Sequence, residues 1–478
     1  MSVAFVAVLA KLHDELRVVV DETAALAPAV CFRRVLHNNE LVAKLDPSGQ
    51  QRAEAARRYE RLKSCTRILD ALLRRYAIQP PVTPEKLADK AGAYVKLERH
   101  MRPELTQKQW LRAFDDELQD LHRQLDRLID LCAAAIPPAS RVVRYDPVDI
   151  RIEHIDDTTC RVNGVATPVP ITPGEQQQLV ADYRKPRAAP ANQLTAPLVA
   201  FGQKLFALIA PAYRSGDIRL HLADAGRLAK APWELLHDGS DFVALQRSTV
   251  ITRCVDHPPA LHREKDGPLR VLLTISSPAG LPMLDGAEEQ RRVEDAVGGL
   301  VLLGRLELDV APDGTLDTLR RMLRAADEAG RPFGAWHFIG HGRYDPLARR
   351  SELAMEGIGA AHWVGGNEFQ VLFGAHPPVR FAILNACESG LEGIDDPRSG
   401  LASTLIHCGM ETVIATQFQI SDEAAIILSE EVYGAFADGH DLLSAIAEAR
   451  RAIFCRPRGV EWMTPVMFAR ASQYANTS

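Results

Sequence analysis

Several large classes of protein are excluded by what the sequence lacks. Its eight cysteines, spread from Cys31 to Cys455, include no CxxC pair, which fits neither a disulfide framework nor a structural zinc site and points to a reducing, cytoplasmic compartment. No run of about 18 apolar residues occurs, so no membrane-spanning helix is expected. The apolar start Val3 to Ala10 runs straight into Lys11, Asp14, Glu15 and Arg17 without a small-residue cleavage site, and reads as an amphipathic helix. Neither a G-x-x-x-x-G-K-[ST] loop nor a G-x-S-x-G elbow is found, which argues against a nucleotide switch and a lipase-like hydrolase. A formal net charge of -6 supplies no overall basic field, so binding to a nucleic-acid backbone through bulk charge is disfavoured.

What remains is a soluble, globular composition, 46% hydrophobic and 25% charged over 478 residues, which is too long for one ordinary core. Residues 1–137 read as a helical bundle. After Pro103, Trp110, Phe114, Leu118, Leu121, Leu125, Leu128 and Cys132 recur every three or four residues as one apolar stripe. Leu62, Cys65, Ile68, Leu69, Leu72 and Leu73 supply a matching face, and the arginines between Arg57 and Arg75 read as its solvated side. Residues 138–197 are rich in proline and read as a connector with a hairpin turning at Asp156-Asp157-Thr158.

From residue 198 to 478 apolar strands alternate with helical stretches, an α/β layout with a mainly parallel sheet flanked by helices. Strands are expected at Ile218–Leu222, Thr249–Val255, Leu269–Ser276, Leu302–Val310, Ala335–Gly340, Arg380–Ala386 and Thr412–Ala415. Helices are expected at Gly286–Val297, Gly314–Ala329, Asp396–His407, Ser421–Ala437 and Asp441–Phe454. In such sheets functional groups gather where strands end. Two strand ends carry reactive side chains beside glycine: His337-Phe338-Ile339-Gly340-His341-Gly342 and Asn385-Ala386-Cys387-Glu388-Ser389-Gly390. A thiol nucleophile needs a base for its proton and backbone N–H groups for the oxyanion. His341 is the candidate base, Cys387 the candidate nucleophile, and the N–H groups of Gly342 and Cys387 the candidate oxyanion hole. Histidine first and cysteine some ~50 residues later is the caspase order.

At these residues the sequence resembles the CHAT peptidases of the caspase and separase clan. The resemblance continues through Ala231-Pro232-Trp233-Glu234-Leu235-Leu236, the strand Leu269 to Ser276, Glu288 and its helix, Gly400-Leu401-Ala402, Thr412 to Ala425, Ala445 to Ala452 and the strand around Val466-Met467-Phe468. Phe418 stands where the family usually has tryptophan, and Ser421 where it often has an acid. The resemblance implies a caspase-like fold beside the helical bundle, and a thiol protease that cleaves protein substrates without metal or cofactor. It also implies regulation, with the N-terminal helices recruiting an activating or inhibitory partner, in settings such as bacterial antiviral defence or cell death.

Other residues are weighed beside the dyad. His337, four residues before His341, reads as a hydrogen-bonded core histidine, and no spacing demands a metal. Cys408 reads as core. Among Asp345, Asp395, Asp396 and Asp422, one acid is expected to select a basic residue before the scissile bond, with Asp422 and Asp396 as candidates; helix capping is the competing reading for Asp422. The alternative to an enzyme is a non-catalytic interaction scaffold on the same fold.

Overall fold

The structure, a computed structural model, describes residues 147–471 apart from 184–190, 247–248, 257–266, 303, 346, 349, 377–378, 387–399, 438–440 and 456–458. Of residues 1–146 it describes three strands and isolated helical positions. The chain divides into two units: Met1–Ser140 with Gly298–Leu303 and Ala437–Gly439, and the remainder. In the first, β1 (Val30–Val35), β2 (Glu40–Leu45) and β3 (Arg99–Met101) form an antiparallel sheet, which the all-helical expectation did not contain. Valine at both ends of β1 with Phe32 between favours a strand over a helix. The apolar stripe from Trp110 to Cys132 lies outside the described residues.

In the second unit an 11-stranded sheet takes its strands from nearly the whole length. They are β4 (Val148–His154), β5 (Thr159–Val162), β6 (Val165–Pro168), β7 (Ile218–His221), β8 (Ile251–Val255), β9 (Leu269–Ile275), β10 (Leu306–Val310), β11 (Ala335–Ile339), β15 (Phe381–Asn385), β16 (Thr412–Thr416) and β17 (Pro465–Arg470), the numbers 12 to 14 belonging to a small sheet between β11 and β15. The spatial order is β10-β9-β11-β15-β16-β17-β8-β7-β4-β5-β6. β10, β9, β11, β15 and β16 are parallel, β17 runs antiparallel to β16, and β8, β7 and β4 run parallel to β17. The α/β architecture expected of a caspase-like chain is therefore present, with strands where the apolar runs were.

Its helices are α1 (Pro173–Tyr183), α2 (Ala191–Ile209), α3 (Gly286–Leu302), α4 (Leu316–Glu328), α5 (Gly366–Gly374), α6 (Leu401–His407), α7 (Asp422–Ala437) and α8 (Leu442–Phe454). Of the segment expected as a connector, 148–183 forms strands and a helix. β4 to β6 extend the sheet edge, with β4 paired to β7, and α1 starts on a proline. Proline is tolerated at the first helical position because that N–H has no helical partner to lose. Thr172 and Glu175 cap the start reciprocally, Glu175 N–H donating to Thr172 Oγ1 at 3.2 Å and Thr172 N–H to Glu175 Oε2 at 2.9 Å.

Side chains alternate across the central strands and sort them into two faces. Trp336, Phe338, Ala382, Leu384 and Ala386 enter a core with Leu319 and Leu323 of α4, Phe369 and Phe373 of α5, and Leu401 and Leu405 of α6. The opposite face presents His337, Ile339, Ile383 and Asn385, and meets α7 through Tyr433 and Ser429 and α3 through Glu289. After β11 the small antiparallel sheet, β12 (Gly342–Asp345), β13 (Arg350–Glu356) and β14 (Ala361–Gly365), had no sequence expectation. β12 reads Gly-Arg-Tyr-Asp and has no apolar alternation to announce it.

Behind β16 lies a buried ionic cluster. Glu234 Oε2 accepts from Arg253 Nη2 at 2.9 Å and Gln417 Nε2 at 2.8 Å, and Arg450 Nη2 stands 3.7 Å from Oε1. Gln417 also donates to Met463 O at 2.7 Å, and Arg450 Nη2 to Pro465 O at 2.9 Å. The cluster ties the Pro232-Trp233-Glu234 corner to β8, α8, β17 and the end of β16. Burial pulls Arg450 down to about 10, still cationic at neutral pH. Removing the one carboxylate between two guanidiniums strands buried charge. Glu234→Ala should lower stability by about 3–5 kcal/mol in urea titrations.

Candidate active site

The ends of β11 and β15 are neighbours in register. Ala335 pairs with Phe381 and Ile339 with Asn385, and Gly340 N–H donates to Asn385 O at 3.1 Å, carrying the parallel ladder one residue further. Gly340 is required by close approach: a Cβ there would stand 2.5 Å from the Phe338 ring and 3.3 Å from Ser276 O. His341 follows, half-buried, with Nε2 2.7 Å from Pro282 O. A carbonyl only accepts, so Nε2 carries the hydrogen and Nδ1 keeps its lone pair, the tautomer a base needs. Ala354 N–H donates to His341 O at 2.9 Å, which makes 341/354 a hydrogen-bonded antiparallel pair. At the next pair, Gly342/Leu353, the alternation turns the N–H of Gly342 away from β13.

Cys387, Asp395 and Asp396 lie outside the described residues. Ala386, directly before Cys387, is buried, and its carbonyl accepts from the Thr416 hydroxyl. Asp422 is the exposed first residue of α7, and Ser421 caps that helix, accepting from Ala424 N–H at 3.3 Å while its own N–H and hydroxyl donate to Glu461, both at 2.8 Å. Asp345 closes its own turn, accepting from the N–H groups of Leu347 and Ala348. His337 is a core residue: fully buried, 3.2 Å from the Tyr433 hydroxyl through Nδ1, and pushed down to about 3 by burial, hence neutral. Cys408 packs against the core, and burial raises its thiol to about 12. Among the described residues no three His, Cys, Asp or Glu side chains group as metal ligands, and no helix is long and apolar enough to cross a membrane.

The family model for the CHAT domain matches residues 189–466, more than half of the chain. The chain belongs to the CHAT domain family. No curated protein matches the sequence. Among solved structures, two of the Saccharomyces cerevisiae separase–securin complex are similar at 13% and 12% identity, each with a TM-score of 0.32 and covering 97% of this chain. This chain spans 22% of the length of those matched chains. The Drosophila initiator caspase Dronc is similar at 11% identity and a TM-score of 0.30, over 45% of this chain and 90% of its own.

Beneath the strand ends this CHAT domain holds a polar layer that sequence reasoning missed. Asn385 Nδ2 donates to Glu289 Oε1 at 2.5 Å, to Ser429 Oγ at 2.7 Å and to Ala425 O at 3.3 Å. Burial raises Glu289 to about 7 against the opposing hydrogen bond from Asn385, and the negative charge of Asp422 adds to the rise. The signal was present in the helical period: Glu289, Val293 and Val297 share the inward face of α3, whereas Glu288, held down to about 2 by Arg291 and Arg292, faces outward.

A carboxyl raised from 4.5 to about 7 on folding contributes stability that is fully present below pH 4.5 and is lost as pH climbs through 7, on the order of 3 kcal/mol when complete. Glu289→Gln should therefore raise the thermal unfolding midpoint at pH 8 and change it little at pH 5, read by calorimetry at both values.

Proposed function

We propose that the chain is a cysteine endopeptidase acting through His341 and Cys387. The observation that carries this reading is the register of β11 against β15. Ile339 and Asn385 are partners, and parallel partners point to the same face. His341 follows the one by two residues and Cys387 follows the other by two in the sequence, so the chain leaves two neighbouring strand ends, about 4.8 Å apart, just before each. The Pro282 carbonyl, by holding the hydrogen on Nε2, leaves Nδ1 to take the thiol proton.

In the reaction the Cys387 thiolate attacks the peptide carbonyl carbon, and the oxyanion is met by the N–H of Gly342 and that of Cys387. His341, now protonated, gives its proton to the leaving amine as the C–N bond breaks. Water, deprotonated by His341, then cleaves the thioester and restores the thiol. The residues require no metal or cofactor for these steps.

Residues 198–478 would carry the machinery, with β4 to β6 extending its sheet. Residues 1–137 would provide control by binding an activating or inhibitory protein, in a cytoplasmic defence or cell-death pathway.

An electrophilic thiol probe should label Cys387 selectively, and His341→Ala should slow that labelling by about 100-fold near neutral pH. New N-termini in a proteome treated with the chain should vanish with Cys387→Ala. Labelling that ignores His341, together with identical fragments from both proteins, would leave a non-catalytic scaffold as the reading.

A further inference from the structure

We infer that the carboxylate of Glu356 is a positioning group for the base: it pins the loop that carries Pro282, and through the Pro282 carbonyl it fixes the tautomer of His341. This rests on the peptidase reading above and adds to it a residue outside the dyad. The loop runs from residue 276 to 285, between β9 and α3. Its first residue is tied twice, Ser276 N–H donating to Ile339 O at 2.8 Å and Ser276 Oγ to Ala354 O at 2.7 Å. Ser277 N–H then donates to Glu356 Oε1 at 3.2 Å, and further along the loop Pro282 O accepts from His341 Nε2 at 2.7 Å.

Both sides of that last hydrogen bond are held by β13. Ala354 N–H donates to His341 O at 2.9 Å and holds the base. Glu356 lies two residues on, so its backbone faces the same edge, and there it holds the loop. From His341 back toward β11, loops take the place of a strand along that edge. Gly314, just before α4, accepts from Glu356 N–H at 2.9 Å, and its own N–H donates to Glu356 Oε2 at 3.2 Å. One carboxylate thus bridges two loops, an oxygen for each, and N–H bonds to a charged acceptor are stronger than neutral ones. The loops also touch: a Cβ on Gly314 would stand 2.5 Å from Ser276 Cα.

The tether at Ser277 reaches Pro282 because the segment between them is stiff. Prolines at 278 and 282 fix two φ angles, and Pro278 is buried. Leu281 N–H closes a turn on Pro278 O at 3.4 Å, with Gly280 at the positive φ of 88° that the third residue of a type II turn requires. Met283, on the other side of Pro282, is 90% exposed, so packing there contributes little to holding the carbonyl. Without the carboxylate the Pro282 carbonyl is free to drift from Nε2. The two neutral tautomers of His341 then become closer in energy, and a fraction of the ring carries its hydrogen on Nδ1, where it cannot take a thiol proton.

The test reads the tautomer directly, by nuclear magnetic resonance of the full chain with isotopically labelled histidine nitrogens. In Cys387→Ala, with the signals assigned through His341→Gln, His341 near pH ~8 should show the Nε2–H tautomer. Adding Glu356→Ala should turn that signal into a mixture of both tautomers, and Glu356→Gln, which keeps one acceptor oxygen, into an intermediate mixture. With Cys387 present, Glu356→Ala should slow labelling by an electrophilic thiol probe about tenfold, less than loss of the imidazole does. Glu352→Gln is the structural control. It lies in the same strand but pairs with Arg343 and Arg350, so it should lower the unfolding midpoint and leave both readouts unchanged. Unfolding midpoints establish that each variant is folded, and where Glu356→Ala is not, Glu356→Gln carries the test. An unmixed tautomer in the Glu356 variants, a labelling rate they do not move, or the same change from Glu352→Gln overturns this inference and leaves the peptidase reading standing. Labelling of Cys387 that ignores His341→Ala overturns the peptidase reading and this inference with it.

Discussion

The parallel pairing of β11 with β15 is the constraint on which the rest of the molecule depends. Ile339 opposite Asn385, with Gly340 N–H bound to Asn385 O, sets which residues share a face and which strand ends are neighbours. A slip of β11 by one residue would turn His337 toward the aromatic core and Trp336 and Phe338 toward the polar layer. Both faces resist it. Trp336 and Phe338 are committed to the core with Phe369 and Phe373, while the side chains of His337 and Asn385 hydrogen-bond to residues of α7 and α3.

Two buried polar assemblies flank that pairing, and they differ in how their charge is resolved. Around Glu234, carboxylate and guanidiniums meet inside the protein, and Gln417 shares their hydrogen bonds, so several elements behind β16 are held together. Glu289 forms no ion pair among the described residues. The carboxyl is raised toward neutrality by its burial and by Asp422, and an amide oxygen beside it is left without a donor. Each assembly keeps buried polar atoms without a hydrogen-bond partner, Glu234 Oε1, Arg253 Nε and Arg450 Nη1 in the first and Asn385 Oδ1 in the second, so they differ in charge balance rather than in completeness.

Much of the sheet was legible because its central strands are continuous apolar runs buried on both sides, as in Leu269–Ile275 and Phe381–Asn385. His341 was legible for a related reason: a polar residue between glycines at the end of such a run is conspicuous. The small sheet β12 to β14 was not, since its first strand carries no alternation. The segment around Pro173 was misread because prolines were weighed as breakers, although one of them opens α1. Glu288 drew attention in the sequence, yet Glu289 is the acid that turns inward, a distinction of one residue that depends on where α3 lies against the sheet.

By itself the sequence determined the apolar strands, the helices between them and the glycine-flanked histidine at a strand end, because burial and backbone freedom are local demands that each residue type meets or fails. Only the tertiary structure decided that β17 runs against β16, that a proline carbonyl selects the tautomer of His341, and that Asn385 meets Glu289 and Ser429 in one buried polar layer. Those outcomes join positions tens to well over a hundred residues apart, and hydrogen bonds and electrostatic fields depend on distance in space rather than separation along the chain.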